Sequence, residues 1–132
     1  GNHTAWGENE RSINYLITIT DGRKILYALD TGYYLDPTWE YLQGKRADTV
    51  IMDCTFGGRT DRGEFPSGHL DLMSFSKMLE RMTAIGFIDE RTTLAAVSVG
   101  QVGAVQPFSA MRSSSRSISG TFEKGTTMSL VK

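Results

Sequence analysis

The fold is organised around residues 24–32, which read KILYALDTG. An apolar run in this stretch ends abruptly in the carboxylate of Asp30, followed by Thr31 and Gly32. This pattern is typical of a strand that delivers an acid to the edge of a sheet, where a glycine lets the chain turn and lets the acid face a ligand. Asp30 therefore has two interpretations, as a ligand and as a turn former.

The segment before this run predicts its partner strand. From residue 13 to residue 20, β-branched and aromatic residues alternate with Asn and Thr, which is the period of a half-buried strand. Asp21 and Gly22 follow, and both tolerate positive φ, so they predict a hairpin turn. We expect the strand over residues 24–30 to pair antiparallel with the first.

Two helices are predicted downstream. Asp36 as N-cap and Pro37 at the first helical position open a short helix that ends at Gly44. Asp71 is a candidate cap for a second helix, which Gly86 ends. Apolar residues recur along the second helix at intervals of three and four, so they form one stripe, and its methionines are interpreted as core residues.

Strands are predicted between and after the helices, over residues 49–54, 93–97 and 126–131. The first of these is apolar almost throughout, as expected of a strand covered on both faces. The glycine-rich residues 55–69 form a long loop, and residues 106–117 fit either a helix or a loop. This alternation predicts an α/β fold with helices packed on a mixed sheet.

Size and composition limit the class of protein. With 132 residues and no linker or internal repeat, residues 1–132 are predicted to form a single domain. The net charge of -1 provides no long-range attraction to nucleic acid or acidic lipid, so a nucleic-acid partner is not expected. No apolar run approaches the roughly 20 residues of a membrane span, and no signal-peptide pattern opens the chain. Together with a single cysteine, Cys54, interpreted as a buried inert thiol, these features predict a cytoplasmic protein.

The two histidines of the chain, His3 and His69, form a candidate metal site with Asp30. His3 precedes the first strand, and His69 closes the glycine-rich loop just before the second helix. Neutral imidazole nitrogens and carboxylate oxygens are ligands that suit zinc or manganese. The alternative interpretation places both histidines on the surface or in a hydrogen-bonded core.

The order of these motifs resembles the C-terminal half of the metallo-β-lactamase fold, in the branch of cyclic-phosphate phosphodiesterases that act in phosphonate breakdown. Residues 2–3 (NH) are similar to the third metal motif of that branch, and residues 27–32 (YALDTG) are similar to its fourth. Residues 53–55 (DCT) and 68–69 (GH) are similar to the loop that bears its phosphate-contacting histidine. The similarity covers most of residues 2–98.

The resemblance implies a metal-dependent hydrolase of a small phosphodiester substrate, with half of an αβ/βα sandwich as its fold. Asp30 would bridge two metal ions, zinc or manganese, and His3 would ligate one of them. His69 would be the catalytic residue that contacts the scissile phosphate or protonates the leaving oxygen.

The chain also departs from this family. It lacks the His-x-His-x-Asp-His motif of the first half of the domain, and residues 98–101 (SVGQ) hold no imidazole where the family has one. Residues 122–125 (FEKG) stand where the family has an aromatic-Asp-Gly phrase. A dinuclear site needs an almost complete set of ligands to activate water. We therefore expect a fragment, a half completed by a partner chain, or a form that has lost catalysis.

Two other functions follow from the same sequence. A domain without catalysis would act as a folding or interaction module. A half-sandwich would expose an apolar sheet face and associate, as a homo-oligomer or with a complementing half-domain. Residues 57–68 are a weaker candidate for a phosphate cradle, because the Gly-Lys-Ser/Thr spacing of a P-loop is missing.

Overall fold

A computed structural model describes residues 1–3 and 12–98, and the backbone of two short strands at 101–102 and 106–107. Within these ranges the chain has the predicted α/β fold. Its elements, in chain order, are β1 (Tyr15–Thr18), β2 (Lys24–Ala28), α1 (Asp36–Leu42), β3 (Thr49–Asp53), α2 (Leu72–Ala84), β4 (Thr93–Ser98), β5 (Gln101–Val102) and β6 (Gln106–Pro107).

The strands of the described part form one mixed sheet, as predicted. They lie in the order β1-β2-β3-β4-β5, and β6 pairs with β4. β1 and β2 are antiparallel, whereas β2, β3 and β4 are parallel to one another. Because α1 connects β2 with β3 and α2 connects β3 with β4, three parallel strands have their carboxyl ends at the same edge of the sheet.

The predicted hairpin between β1 and β2 forms, with a different turn from the one expected. Ile19 N–H donates to the Arg23 carbonyl at 2.9 Å, and Gly22 has a φ of 87°. Asp21 does not adopt positive φ, so that part of the prediction is wrong. A three-residue hairpin loop requires only one left-handed residue. The Asp21 carboxylate instead accepts a hydrogen bond from Arg23 N–H at 3.0 Å.

The two helices begin differently. α2 has a capping box, in which Asp71 Oδ1 accepts from Ser74 N–H at 2.8 Å and Ser74 Oγ accepts from Asp71 N–H at 3.0 Å. α1 has Leu35 at its N-cap and no side-chain cap, so the predicted cap at Asp36 is wrong. Asp36 is the first residue of α1, where its charge still complements the helix dipole. Its carboxylate lies 3.4 Å from Arg81 of α2.

Both helices contribute to a core that includes one face of the sheet. Met78 and Met82 of α2 are fully buried, as predicted, and Trp39 of α1 is 2% exposed. These side chains belong to the same apolar cluster as Leu26 of β2 and Val50 of β3. The helices therefore cover the face of the sheet to which Leu26 and Val50 point.

The opposite face of the sheet exposes apolar side chains at β1 and β2 in the described part of the chain. Tyr15 and Ile17 of β1 are 53% and 43% exposed, and Tyr27 of β2 is 39% exposed. Tyr15 and Tyr27 are direct cross-strand neighbours. Ile51 of β3 is only half-buried on this face. Its neighbour on β4, Ala95, is 6% exposed, so this face is more covered at β3 and β4 than at β1 and β2. Coverage of β3 on both faces stays a prediction.

Several predictions concern the loop and the C-terminal segment. The long loop before α2 is confirmed, since residues 54–71 contain neither helix nor strand. The predicted strand over residues 126–131, and residues 108–117 of the ambiguous segment, lie outside the described residues. The single-domain interpretation of residues 1–132 stays a prediction. In the described ranges, no helix combines the length and apolar character needed to cross a membrane.

Trp39→Ala is expected to lower the free energy of unfolding by about 3–5 kcal/mol, because it removes a buried indole and leaves a cavity. Tyr41 lies on the same helix but is 58% exposed. Tyr41→Ala should therefore change the stability by no more than about 0.5 kcal/mol. Urea titration followed by circular dichroism measures both values. Similar, small effects of the two variants would contradict the assignment of Trp39 to the core.

Candidate metal-binding site

Asp30 follows β2 at the turn that leads away from the sheet. Its φ is 55°, and it is the one non-glycine residue in the described ranges with a positive φ. This conformation costs a residue other than glycine about 1 kcal/mol. The side chain of Asp30 is 59% exposed, and its carboxylate faces His3 and His69. Asp30 thus forms a turn and presents a potential ligand, so its two interpretations are compatible.

Asn2 positions His3 beside the end of β2. Its carbonyl oxygen accepts hydrogen bonds from Gly32 N–H at 3.1 Å and from Gly68 N–H at 2.8 Å. Its own N–H donates to Thr31 Oγ1 at 2.9 Å. Since Gly32 follows β2 and Gly68 precedes His69, the backbone of Asn2 joins the two segments that carry the other candidate ligands. No sequence pattern predicts this role of Asn2.

Gly32 is required where the loop before α2 crosses the end of β2. A Cβ atom at this position would lie 2.3 Å from the Pro66 carbonyl oxygen, closer than real Cβ contacts allow. The Pro66 carbonyl is held there because it accepts a hydrogen bond from Tyr33 N–H at 2.8 Å. The glycine therefore lets the loop approach closely enough to bring His69 to Asp30.

The structure brings together the three residues predicted for the site. His3 Nε2 lies 3.5 Å from Asp30 Oδ1, and His69 Nε2 lies 3.6 Å from the same oxygen. The two imidazole rings meet edge to face, with centroids 4.9 Å apart. In the described part of the chain this is the one group of three or more His, Cys, Asp or Glu residues spaced to hold a metal ion, with its donor atoms within 4.8 Å of one another.

The spacing of these donors fits a divalent ion better than it fits direct hydrogen bonds. Separations of 3.5 and 3.6 Å are long for hydrogen bonds between nitrogen and oxygen. Two ligand atoms that share a tetrahedral zinc ion lie about 3.3–3.5 Å apart, given bond lengths of about 2.0–2.1 Å. Either imidazole can therefore share an ion with Asp30. The Nδ1 atom of His3 is buried and has no hydrogen-bond partner among the described residues.

Asp53 fixes the orientation of His69. Its Oδ2 lies 2.7 Å from His69 Nδ1, and Asp53 is 4% exposed. The carboxylate also accepts hydrogen bonds from Thr55 N–H at 2.9 Å and Leu70 N–H at 3.2 Å. A carboxylate only accepts, so this network assigns the proton of a neutral His69 to Nδ1 and leaves the Nε2 lone pair facing Asp30. This is the arrangement typical of metal-binding and proton-transferring histidines.

Asp53 as the partner of His69 was missed in the sequence analysis. The position of Asp53 offered a clue to this role, because β2 and β3 are parallel neighbours and each ends near a carboxylate. Ala28 of β2 is in register with Met52 of β3, so the residues that follow share one edge of the sheet. β4, the third parallel strand, contributes Ser98, whose hydroxyl donates to the Thr55 carbonyl at 3.4 Å. No imidazole follows it at residues 98–101, as the sequence indicated.

Searches of models of known protein families, of curated proteins and of solved structures find no match for this chain.

Asp53→Asn is expected to reverse the tautomer of His69. An Asn in this position can keep an oxygen toward Thr55 N–H and Leu70 N–H, which places its N–H₂ group against His69 Nδ1. The proton of the neutral ring then moves to Nε2. The ¹⁵N chemical shifts of the imidazole, measured by NMR, distinguish the two forms.

The matched control is Asp48→Asn, which changes another carboxylate that accepts from a backbone N–H, that of Lys24 at 2.8 Å. It should leave the His69 tautomer unchanged. A protonated Nδ1 in the Asp53→Asn variant would show that Asp53 does not set the tautomer.

Proposed function

We propose that this chain is part of a metal-dependent hydrolase of the metallo-β-lactamase type that acts on phosphodiesters, present as a fragment or degenerate form with an incomplete metal site. The observation that carries the proposal is the convergence of His3, Asp30 and His69, whose donor atoms lie within 4.8 Å. The order of motifs over residues 2–98 also supports it. The proposed fold is half of an αβ/βα sandwich, in keeping with a sheet whose helices cover one face.

Each site residue has a proposed role. His3 and Asp30 would hold a zinc or manganese ion through Nε2 and Oδ1, since both ions accept these ligands. When bound, such an ion polarises a phosphoryl oxygen and activates water. His69, in its protonated form, would contact the scissile phosphate and give its Nε2 proton to the leaving oxygen. Asp53 would keep the ring oriented and stabilise its positive charge through the 2.7 Å contact at Nδ1.

The metal site is proposed to be incomplete because His3 and Asp30 alone supply too few ligands for two metal ions. The bridging role of Asp30 needs further ligands on each ion, and the chain lacks the His-x-His-x-Asp-His motif that would supply them. A complementing half-domain would be the partner that brings these ligands. The isolated chain is therefore expected to bind zinc or manganese weakly and to show negligible phosphodiesterase activity.

Calorimetric titration with Zn²⁺ or Mn²⁺ tests these assignments. Asp30→Ala is expected to abolish the binding, and His3→Ala to weaken it at least about tenfold. Asp21→Ala serves as the control, since it removes a comparably exposed carboxylate, 50% against 59%, from the distant hairpin. An unchanged metal affinity in Asp30→Ala would show that Asp30 acts only as a turn residue. Tight binding of two equivalents by the wild-type chain would contradict an incomplete site.

His69→Ala distinguishes a proton donor from a metal ligand. With His69 acting on the phosphate, its removal should leave the metal affinity close to that of the wild-type chain. A loss as large as that in Asp30→Ala would make His69 a third ligand, and proton transfer through its Nε2 would then be ruled out because a ligating nitrogen carries no proton.

A second candidate function, a non-catalytic folding or interaction module, is favoured by the apolar side chains that β1 and β2 expose on the uncovered side of the sheet. Tyr15, Ile17 and Tyr27 present large side chains there without a covering layer among the described residues. Exposed apolar patches of this kind promote association. We propose that this face binds a second copy of the chain or a complementing half-domain.

Light scattering is expected to show self-association of the wild-type chain that increases with concentration. Tyr27→Lys should reduce it, because a charge on this face must be desolvated in any apolar contact. Tyr41→Lys, a change at an exposed tyrosine of α1, is the control and should have no effect. A wild-type chain that remains monomeric at high concentration would count against a half-domain.

We further infer a reducing, cytoplasmic environment. The proposal is supported by the single cysteine, Cys54, which is 3% exposed. Burial, reinforced by the neighbouring carboxylates of Asp53 and Asp71, raises the pKa of the Cys54 thiol to about 12. The thiol therefore stays protonated at neutral pH and is a poor nucleophile and a poor metal ligand.

A further inference from the structure

β1 is the outermost strand of the sheet in the described part of the chain, so one of its backbone edges has no neighbouring strand there. The pairing of β1 with β2 determines which groups lie at this edge. Ile19 N–H donates to the Arg23 carbonyl at 2.9 Å and therefore points toward β2. Because backbone groups alternate in direction along an antiparallel strand, the N–H and C=O groups of Leu16 and Thr18 point away from β2.

This edge lacks the features by which proteins commonly prevent the pairing of exposed strands. Edge strands often carry a lysine, a proline or a bulge, because unpaired N–H and C=O groups are a template for another strand. Residues 12–20 read SINYLITIT and contain neither a charged residue nor a proline. Tyr15 and Ile17 of the same strand are 53% and 43% exposed. The edge of β1 therefore presents backbone hydrogen-bonding groups beside apolar side chains, with no charge in this stretch to repel a second strand.

The two residues that point outward make this edge complementary to itself. When two copies of β1 lie antiparallel about a two-fold axis at Ile17, Leu16 of each copy is opposite Thr18 of the other. Each of these opposite pairs exchanges both of its N–H···O=C bonds, as in an antiparallel ladder. Ile17 then meets its own copy, and Tyr15 meets Ile19, on the side of the sheet where β1 exposes apolar side chains. A second copy of the chain therefore satisfies the backbone and the side chains of this edge together.

We propose that the chain forms a two-fold dimer in which β1 of one copy pairs with β1 of the other, so that two sheets become one. This inference goes beyond the proposed hydrolase function and concerns the edge of the sheet, not its exposed face. Since the axis reverses the strand direction, the candidate metal sites of the two copies lie at opposite ends of the joined sheet. The dimer therefore leaves each metal site as it is in the single chain.

Sedimentation equilibrium of the whole chain and of two variants at Thr18 tests this dimer. Thr18→Pro removes the N–H that points to the edge and leaves the hydrogen bonds between β1 and β2 in place. Because the dimer then loses one donor from each copy, its dissociation constant is expected to rise at least about tenfold. Thr18→Ala is the matched control. It keeps the N–H and should retain the wild-type dissociation constant within about twofold.

A cysteine at the two-fold axis tests the register and keeps the inference testable even if Thr18→Pro fails to fold. In an opposite pair that exchanges no hydrogen bonds, the Cα atoms lie about 4.5 Å apart, which a disulfide can span. Ile17→Cys is therefore expected to form a disulfide-linked dimer in oxidised glutathione. Thr18→Cys, the control on the same strand, lies out of register with its own copy and should stay unlinked. The native Cys54 is 3% exposed and does not compete.

Tyr27→Lys separates pairing at the edge from association through the exposed face. Tyr27 lies on β2 and contributes to that face, so the dimer is expected to persist in this variant. A dimer that Tyr27→Lys abolishes and Thr18→Pro leaves unchanged would place the contact on the face and overturn the inference. A monomeric wild-type chain, or equal linking of the two cysteine variants, would also overturn it. None of these measurements depends on a metal ion, so the calorimetric titration tests the proposed hydrolase site separately.

Discussion

The backbone of Asn2 is the constraint on which the candidate site depends. Its carbonyl oxygen accepts hydrogen bonds from Gly32, after β2, and from Gly68, before His69. These two segments are distant in sequence, and a single acceptor fixes both. Asn2 also directly precedes His3. One short stretch of backbone therefore sets the position of His3 and the position of the loop that carries His69. Any change that displaces Asn2 would separate all three candidate ligands.

Two carboxylates at the same edge of the sheet have different surroundings, and this difference gives them different chemistry. The side chain of Asp30 is 59% exposed and accepts no backbone hydrogen bond from the described residues, so it is available to a cation. The side chain of Asp53 is 5% exposed, and its oxygens are engaged by Leu70, Thr55 and His69. An acid that is already fully hydrogen-bonded cannot also ligate an ion without losing those partners. The parallel arrangement of β2 and β3 therefore supplies one candidate metal ligand, Asp30, and one group that orients His69, Asp53.

Local signals in the sequence predicted the elements well. The alternation before Asp21-Gly22 predicted the hairpin, and the spacing of apolar residues after Asp71 predicted α2 with the buried Met78 and Met82. Both patterns depend on residues within one element. The N-cap of α1 was predicted one residue too late, since Leu35 satisfies the extended geometry of a cap without a side-chain acceptor. The sequence pattern alone does not distinguish Leu35 from Asp36 as the N-cap residue.

The contacts within the site were harder to predict because they join distant segments. His3, Asp30 and His69 were identified from residue type and motif order. The role of Asp53 and the need for glycine at position 32 depend on the path of the loop before α2. No periodicity encodes that path, which is fixed by hydrogen bonds such as that between Tyr33 N–H and the Pro66 carbonyl.

The positive φ of Asp30 opposes the stability of the turn to the role proposed for its carboxylate. Glycine adopts a φ of 55° without the steric cost that Asp30 bears, so a glycine there would relax the backbone of the turn. Selection for thermal stability alone, in evolution or in a laboratory library, would favour replacement of this aspartate. Under the proposed function, the backbone strain at Asp30 is offset by the metal ion that its carboxylate would bind.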